Sequence, residues 1–184
     1  MSFKTILVHI DPGKRCSARV EIAVRLALQH EAHLVGLQTL TSFQPPGYVM
    51  AEMGAAVIDA QRQVAAAESA RAESEFTKRT AGAGVKSVEW RTAVDDPVDA
   101  LTLHARYADL IVIGQADAAD DSHMPSDLPE RLVLSAGRPV LILPAIGSFP
   151  SIGKRILVAW NPSREATRAV TDAIPLLRLA DNVH

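Results

Sequence analysis

The chain has 184 residues, 48% hydrophobic and 22% charged, with a formal net charge of −2 at pH 7, proportions of a soluble globular chain rather than a disordered one. No run approaches the roughly 18 to 20 uninterrupted apolar residues of a membrane span, and residues 1–4 lead into a strand rather than a signal peptide, so no membrane partner and a cytoplasmic location are expected. Lys and Arg form no cluster, which argues against nucleic acid as a partner, and a single cysteine, Cys16, excludes an intrachain disulfide.

Residues 6–10 (ILVHI) form a continuous apolar run, the pattern of a strand covered on both faces. Asp11-Pro12-Gly13 turns the chain, and from about Ser17 the apolar positions Val20, Ala23, Val24, Ala27 and Leu28 recur at helical spacing. Residues 32–40 read as a second strand, which makes a βαβ unit. A Pro45-Pro46-Gly47-Tyr48 loop and a long alanine-rich helix over about residues 53–80 follow, ended by Gly82 and Gly84. Strand three is expected near residues 85–94, and Asp96-Pro97 opens a helix to Tyr107. Residues 109–114 (DLIVIG) form strand four, and residues 115–126 a loop. Asp127 reads as an acidic N-cap with Glu130 in capping-box position, and residues 140–143 form strand five. Strands alternating with helices predict a five-stranded, mostly parallel sheet with helices on both faces.

ILVHID at residues 6–11 returns as ILVAWN at residues 156–161, at a constant offset of 150 from Lys4 to Lys154. Without a gap, Val20, Ala23 and Leu26 then meet identical residues at Val170, Ala173 and Leu176. The expected organisation is therefore a complete unit over residues 1–146, a linker over 147–153, and the first strand and helix of a second, truncated unit over 154–184.

A sheet of this kind binds ligands beyond the carboxyl ends of its strands, where the strand order reverses. Asp11 ends strand one, Thr39 lies near the end of strand two, and Ile113 and Gly114 end strand four, so these four form a candidate adenosine-like pocket. Asp11 is either an acceptor for a base amine or ribose hydroxyl, or an Asx turn with Pro12-Gly13. Gly114 is either a tight exit turn or a point of backbone approach to a ligand.

Taken in order, ILVHID, Ser17 and Ala23 on the first helix, DDPVDAL at residues 95–101, DLIVIGQ at 109–115 and GRPVLILP at 137–144 resemble the universal stress protein family. ILVAWNPSREA at residues 156–166 restarts the pattern, so the resemblance is to the tandem, two-domain form. It implies a five-stranded parallel α/β sandwich. Many members bind ATP through a strand-four glycine, a second glycine three positions on, and a third ten beyond that, followed by Ser or Thr. Here Gly114 fills the first place, Asp117 stands in the second, and Ser126 or Asp127 in the third.

That loop carries Asp117, Asp120, Asp121 and Asp127 with no Lys or Arg between Gln115 and Glu130. Each close like-charge pair costs from about 1 kcal/mol in water to about 4 kcal/mol at an effective dielectric of 20, so a triphosphate is disfavoured. The expectation is a non-enzymatic stress-response or signalling protein acting through association with an unknown protein partner, with a degenerate nucleotide pocket and no firm cofactor. The alternative is an ATP-binding, slowly hydrolysing switch using a metal-assisted site in the acidic loop or a second-domain site; Asn161 stands where that second copy would carry its aspartate. By the resemblance, the Val140–Leu143 edge pairs with another domain or subunit, so a homodimer is expected, with the C-terminal remnant exchanged between subunits.

No catalytic constellation or metal site is predicted. His30 and His33 have helix-turn spacing without a third ligand, or simply mark an exposed helix end. His123 lies among the loop carboxylates, as a ligand contact or a solvated residue. Cys16, beside Lys14 and Arg15, is an activated thiol or an incidental small residue. Trp90 is expected on a strand face and Trp160 in a core.

Overall fold

The computed structural model describes residues 2–40, 47–116 and 125–184. Strand β1 (Thr5–Ile10) is followed by α1 (Cys16–His30), β2 (His33–Leu40), α2 (Gly47–Ala83), β3 (Val88–Val94), α3 (Pro97–Ala105), β4 (Leu110–Gly114), α4 (Leu128–Ser135) and β5 (Val140–Leu143). The five strands form one sheet in the order β3-β2-β1-β4-β5, every pair parallel, as the alternation of strands and helices predicted.

Because side chains alternate along a strand, the apolar runs supply both faces. Ile6, Val8, Ile10, Leu110 and Val112 pack with Val20, Ala23 and Leu26 of α1 and Phe76 of α2. Leu7, Val35, Leu37, Ile111 and Ile113 pack with Val98 and Leu101 of α3 and Leu132 of α4. The order reverses between β1 and β4, so the carboxyl ends of those strands are the topological switch point.

Element boundaries depart from the sequence reading where local chemistry differs. Gly47 and Tyr48, expected in a loop, open α2, since Pro45 and Pro46 precede the helix rather than interrupt it. β3 starts at Val88, not residue 85, because Gly84 turns the chain at φ +80°. Asp127 sits before α4 at φ −94°, ψ 7° and makes no cap hydrogen bond, so its expected capping role is not formed. Asp96, in extended backbone, caps α3 by accepting from the backbone N–H of Val98 (2.9 Å) and Asp99 (3.3 Å).

His30 is not at an exposed helix end: it is buried and meets the Phe3 ring edge-on at 5.0 Å. Trp90 does lie on a strand face, 5.5 Å from the Phe76 ring, but Trp160 is 59% exposed and not core. Val140–Leu143 is an edge strand, with Ile142 38% exposed.

Beyond the sheet, β6 (Arg155–Ile156), α5 (Arg164–Leu177) and β7 (Asn182–Val183) form a second βαβ unit whose strands are parallel. The linker before it is docked: Arg15 donates to the Gly147 carbonyl (2.6 Å), and Arg25 to those of Phe149 (2.7 Å) and Pro150 (2.8 Å). Phe149, Ile152 and Leu176 pack against the α1 side of the core. Val20, Ala23 and Leu26 are at most 3% exposed, whereas their repeats Val170, Ala173 and Leu176 are only half-buried, because β6 and β7 offer a far narrower sheet to pack on.

Candidate functional site

The switch point is closed by a charged side chain of the chain itself. Arg19, one turn into α1 and 3% exposed, reaches over the ends of β1 and β4. Its Nη2 lies 2.7 Å from Asp11 Oδ2, and its Nε donates to the His9 carbonyl at 2.8 Å. Its Nη1 stands 2.5 Å from where a β-carbon of Gly114 would be. Gly114 has no positive φ, so the absent side chain makes room for the guanidinium rather than for a turn. At Gly114 the group that uses the space left by the absent side chain is Arg19.

Of the two roles weighed for Asp11, the Asx turn is formed: Oδ1 accepts from the Gly13 N–H at 2.9 Å, while Oδ2 faces Arg19. Burial by itself would raise the Asp11 carboxyl, but Arg19, His9 and the Gly13 N–H together hold it below the ordinary carboxylate value. His9, fully buried, bonds Thr39 Oγ1 through Nε2 at 2.9 Å, and its Nδ1 has no hydrogen-bond partner, with Asp11 Oδ2 at 3.7 Å. Burial foremost, then the Arg19 charge, lower its pKa to about 4 against the opposing pull of Asp11, so the imidazole is neutral at pH 7.

That depression sets an acid limit. The unfolded chain takes up a proton at His9 as pH falls through 6.5 and the folded chain only near 4, so the contribution is complete above about pH 6.5 and is lost on descending to about pH 4. It amounts to about 3 kcal/mol at 1.36 kcal/mol per pKa unit. His30, also lowered by burial, acts in the same direction. Urea unfolding at pH 7 and pH 4.5 should show the loss, and His9→Gln should flatten it; an unchanged slope in that variant would contradict the assignment.

Beside this network lies a cavity of about 560 Å³ between the ends of β1 and β2, the start of α1 and the inner face of α2. Asp11 and Thr39 line it, with Gln38 and Phe76. Ile113 does not: it is fully buried on the opposite face of the sheet, among α3 and α4, which corrects its placement in the pocket. Gly114 is outside the cavity as well, with Arg19 between it and Asp11. Asp117, with Asp120, Asp121 and His123, lies outside the described residues. Ser126 and Asp127 sit in the turn before α4 and do not line the cavity.

At the cavity rim Arg71 pairs with Glu75 (3.3 Å) and Arg79 with Glu21 (3.1 Å), so acids already answer these two cations. Burial raises the Cys16 thiol above its ordinary pKa, which leaves it without the character of an activated nucleophile. Among the described residues no three His, Cys, Asp or Glu side chains converge to hold a metal ion, and no helix is long and apolar enough to cross a membrane.

Arg19 went unread in the sequence, although a signal was present. It falls on the buried stripe of α1 with Val20, Ala23 and Leu26, and an arginine there needs a counter-ion, for which Asp11 is near in sequence.

A model of the universal stress protein family matches residues 2–144. The chain belongs to the universal stress protein family. Among solved structures, a universal stress protein from Archaeoglobus fulgidus DSM 4304 is similar at 16% identity and a TM-score of 0.68, over 95% of this chain and 62% of that one. A family protein from Burkholderia pseudomallei matches at 28% identity and a TM-score of 0.56, over 77% and 96% of the two chains. A universal stress protein in complex with cAMP matches at 21% identity and a TM-score of 0.55, over 78% and 98%. No curated protein matches the sequence. The family's doubly wound sheet is thus common to all of these, while the Arg19 bridge is a feature read from this chain.

Proposed function

We propose that this universal stress protein is a non-enzymatic stress-response or signalling module acting through protein association, with a degenerate nucleotide pocket in its first domain. The observation that carries this reading is the 2.7 Å ion pair of Asp11 with Arg19: the carboxylate best placed to receive a ligand already has a buried partner. The acidic composition of residues 115–130 supports it, since no Lys or Arg stands there to meet phosphates. Association would run through the exposed β5 edge into a homodimer, and unpaired apolar edges of this kind favour pairing. Residues 154–184 are read as the opening of a second domain, which the parallel β6-α5-β7 arrangement and the constant repeat offset support.

Calorimetric titration with ATP, with and without Mg²⁺, on a sample whose mass is followed by light scattering, tests both halves. The expected result is no saturable heat at millimolar ATP from a dimer. Micromolar binding, or a monomer at micromolar protein, would overturn it. The second reading, an adenine-nucleotide switch, is favoured by the 560 Å³ cavity lined by Asp11 and Thr39 and by the cAMP bound to a structural neighbour. Micromolar ATP binding would establish that reading in its place.

A further inference from the structure

We infer that Arg19 is the specificity-determining residue of the switch-point pocket: its guanidinium is a built-in occupant of the place beside Asp11 and Gly114 that a ligand's donor group would take. The inference rests on the degenerate-pocket reading and deepens it, because it makes the loss of binding a matter of occupancy rather than of a collapsed site.

Three features separate an occupant from an ordinary core arginine. Arg19 meets two acceptors at one place, Asp11 Oδ2 at 2.7 Å and the His9 carbonyl at 2.8 Å, and its Nη1 fills the space that a side chain at position 114 would take. This is where the carboxyl ends of β1 and β4 diverge and where a parallel sheet receives its ligands. Next to it the cavity of about 560 Å³ persists, within the size range of small-molecule sites, with Asp11 on its wall and Arg19 behind Asp11, against Gly114. Finally, Asp11 has other donors in reach. The Gly13 N–H holds Oδ1 at 2.9 Å, and the fully buried His9 Nδ1, without a partner, lies 3.7 Å from Oδ2. A small movement of the carboxylate brings His9 into hydrogen-bond range, and Asp11 also faces the cavity, so Arg19 can leave without stranding it.

The ligand class follows from the same groups. A carboxylate beside the Thr39 hydroxyl accepts from an amine or from vicinal hydroxyls, the donors of a nucleoside. The cavity's cations Lys14, Arg71 and Arg79 are matched in number by Asp11, Glu68 and Glu75, so no net positive charge favours a phosphate over the nucleoside itself. Removing Arg19 should therefore open a site for a neutral nucleoside.

The experiment compares wild type, Arg19→Ser, Arg19→Lys and Arg19→Ser/Asp11→Asn by calorimetric titration with adenosine and, separately, AMP, after near-ultraviolet circular dichroism has verified folding. Arg19→Ser should bind adenosine at least tenfold more tightly than wild type, and AMP no better than adenosine. Arg19→Lys, which keeps a cation beside Asp11, should stay silent, and the double variant should lose the gain. A folded Arg19→Ser that binds no better than wild type, or a double variant that binds equally well, overturns the inference. If Arg19→Ser does not fold, Arg19→Gln replaces it; failure of both also overturns the inference, since an occupant that His9 can replace is dispensable to the fold. Tight binding by wild type instead overturns the degenerate-pocket reading, whereas a silent wild type with a folded, silent Arg19→Ser sinks this inference alone.

Discussion

Asp11→Ala is expected to lower unfolding free energy by about 3–5 kcal/mol, the cost of leaving one member of a buried ion pair without its partner. The stranded group would be Arg19, which is 3% exposed. Its Nε keeps the His9 carbonyl, but its Nη2 loses the carboxylate at 2.7 Å. The Gly13 N–H loses its acceptor at the same time, adding about 1 kcal/mol. Against a typical total of about 5–15 kcal/mol this is a large share, visible in urea unfolding as a lower midpoint at unchanged slope.

The reverse deletion should be milder, because Asp11 opens on the cavity and has Gly13 and His9 near it. Asp11→Ala/Arg19→Met should recover most of the loss, since an apolar pair can replace a buried ionic one at little cost. A single-variant cost under about 1 kcal/mol would show that the pair is not closed in solution.

Phe76→Ala should cost about 3–5 kcal/mol, the range for truncating a buried aromatic side chain. Between Val57 and Ala83 only Phe76 and Thr80 of α2 are buried, so in that stretch Phe76 is the one large apolar side chain the helix fully buries. The ring tip stands 2.8 Å from where a Gly36 β-carbon would be, and the ring meets Trp90 at 5.5 Å. No other described side chain of α2 fills that slot. Loss of the ring should release α2 before the sheet unfolds, so amide exchange over α2 should quicken more than over β1 and β4. Phe76→Leu, which retains apolar bulk, should cost less than half as much. Equal exchange across α2 and β1 in Phe76→Ala would mean that the helix is not a separable unit.

The cavity depends on the same ring. Phe76 lines it together with Asp11 and Thr39, so release of α2 removes one wall of the candidate site. Binding measurements on α2 variants therefore report the anchor as well as any contact with ligand.

Much of the architecture was legible in local chemistry. ILVHI and LIVIG are runs that only a strand covered on both faces can bury, and the helical spacing of Val20, Ala23 and Leu26 marks the stripe that covers them. The Asp96-Pro97 cap, the fifth strand and the 150-residue repeat could all be read along the chain, because caps, periodicity and repeats involve neighbours or identical spacing. Asp11 and Thr39 could be named as strand-end residues for the same reason.

What the tertiary structure alone decided was which side chains meet. The alternation of β4 turns Ile113 into the α3–α4 core and Gly114 toward α1, and only assembly of the sheet places that bare backbone under Arg19. Arg19 went unread in the sequence, whereas in the fold it is a buried counter-ion at the junction of two strands that are distant in sequence. Exposure of Trp160 was likewise invisible to composition, since an apolar residue is buried only if a second surface arrives to cover it. Propensity and pattern act over a few residues and are written in the chain; pairing of a buried charge depends on distances set by packing, and those exist only once the sheet has formed.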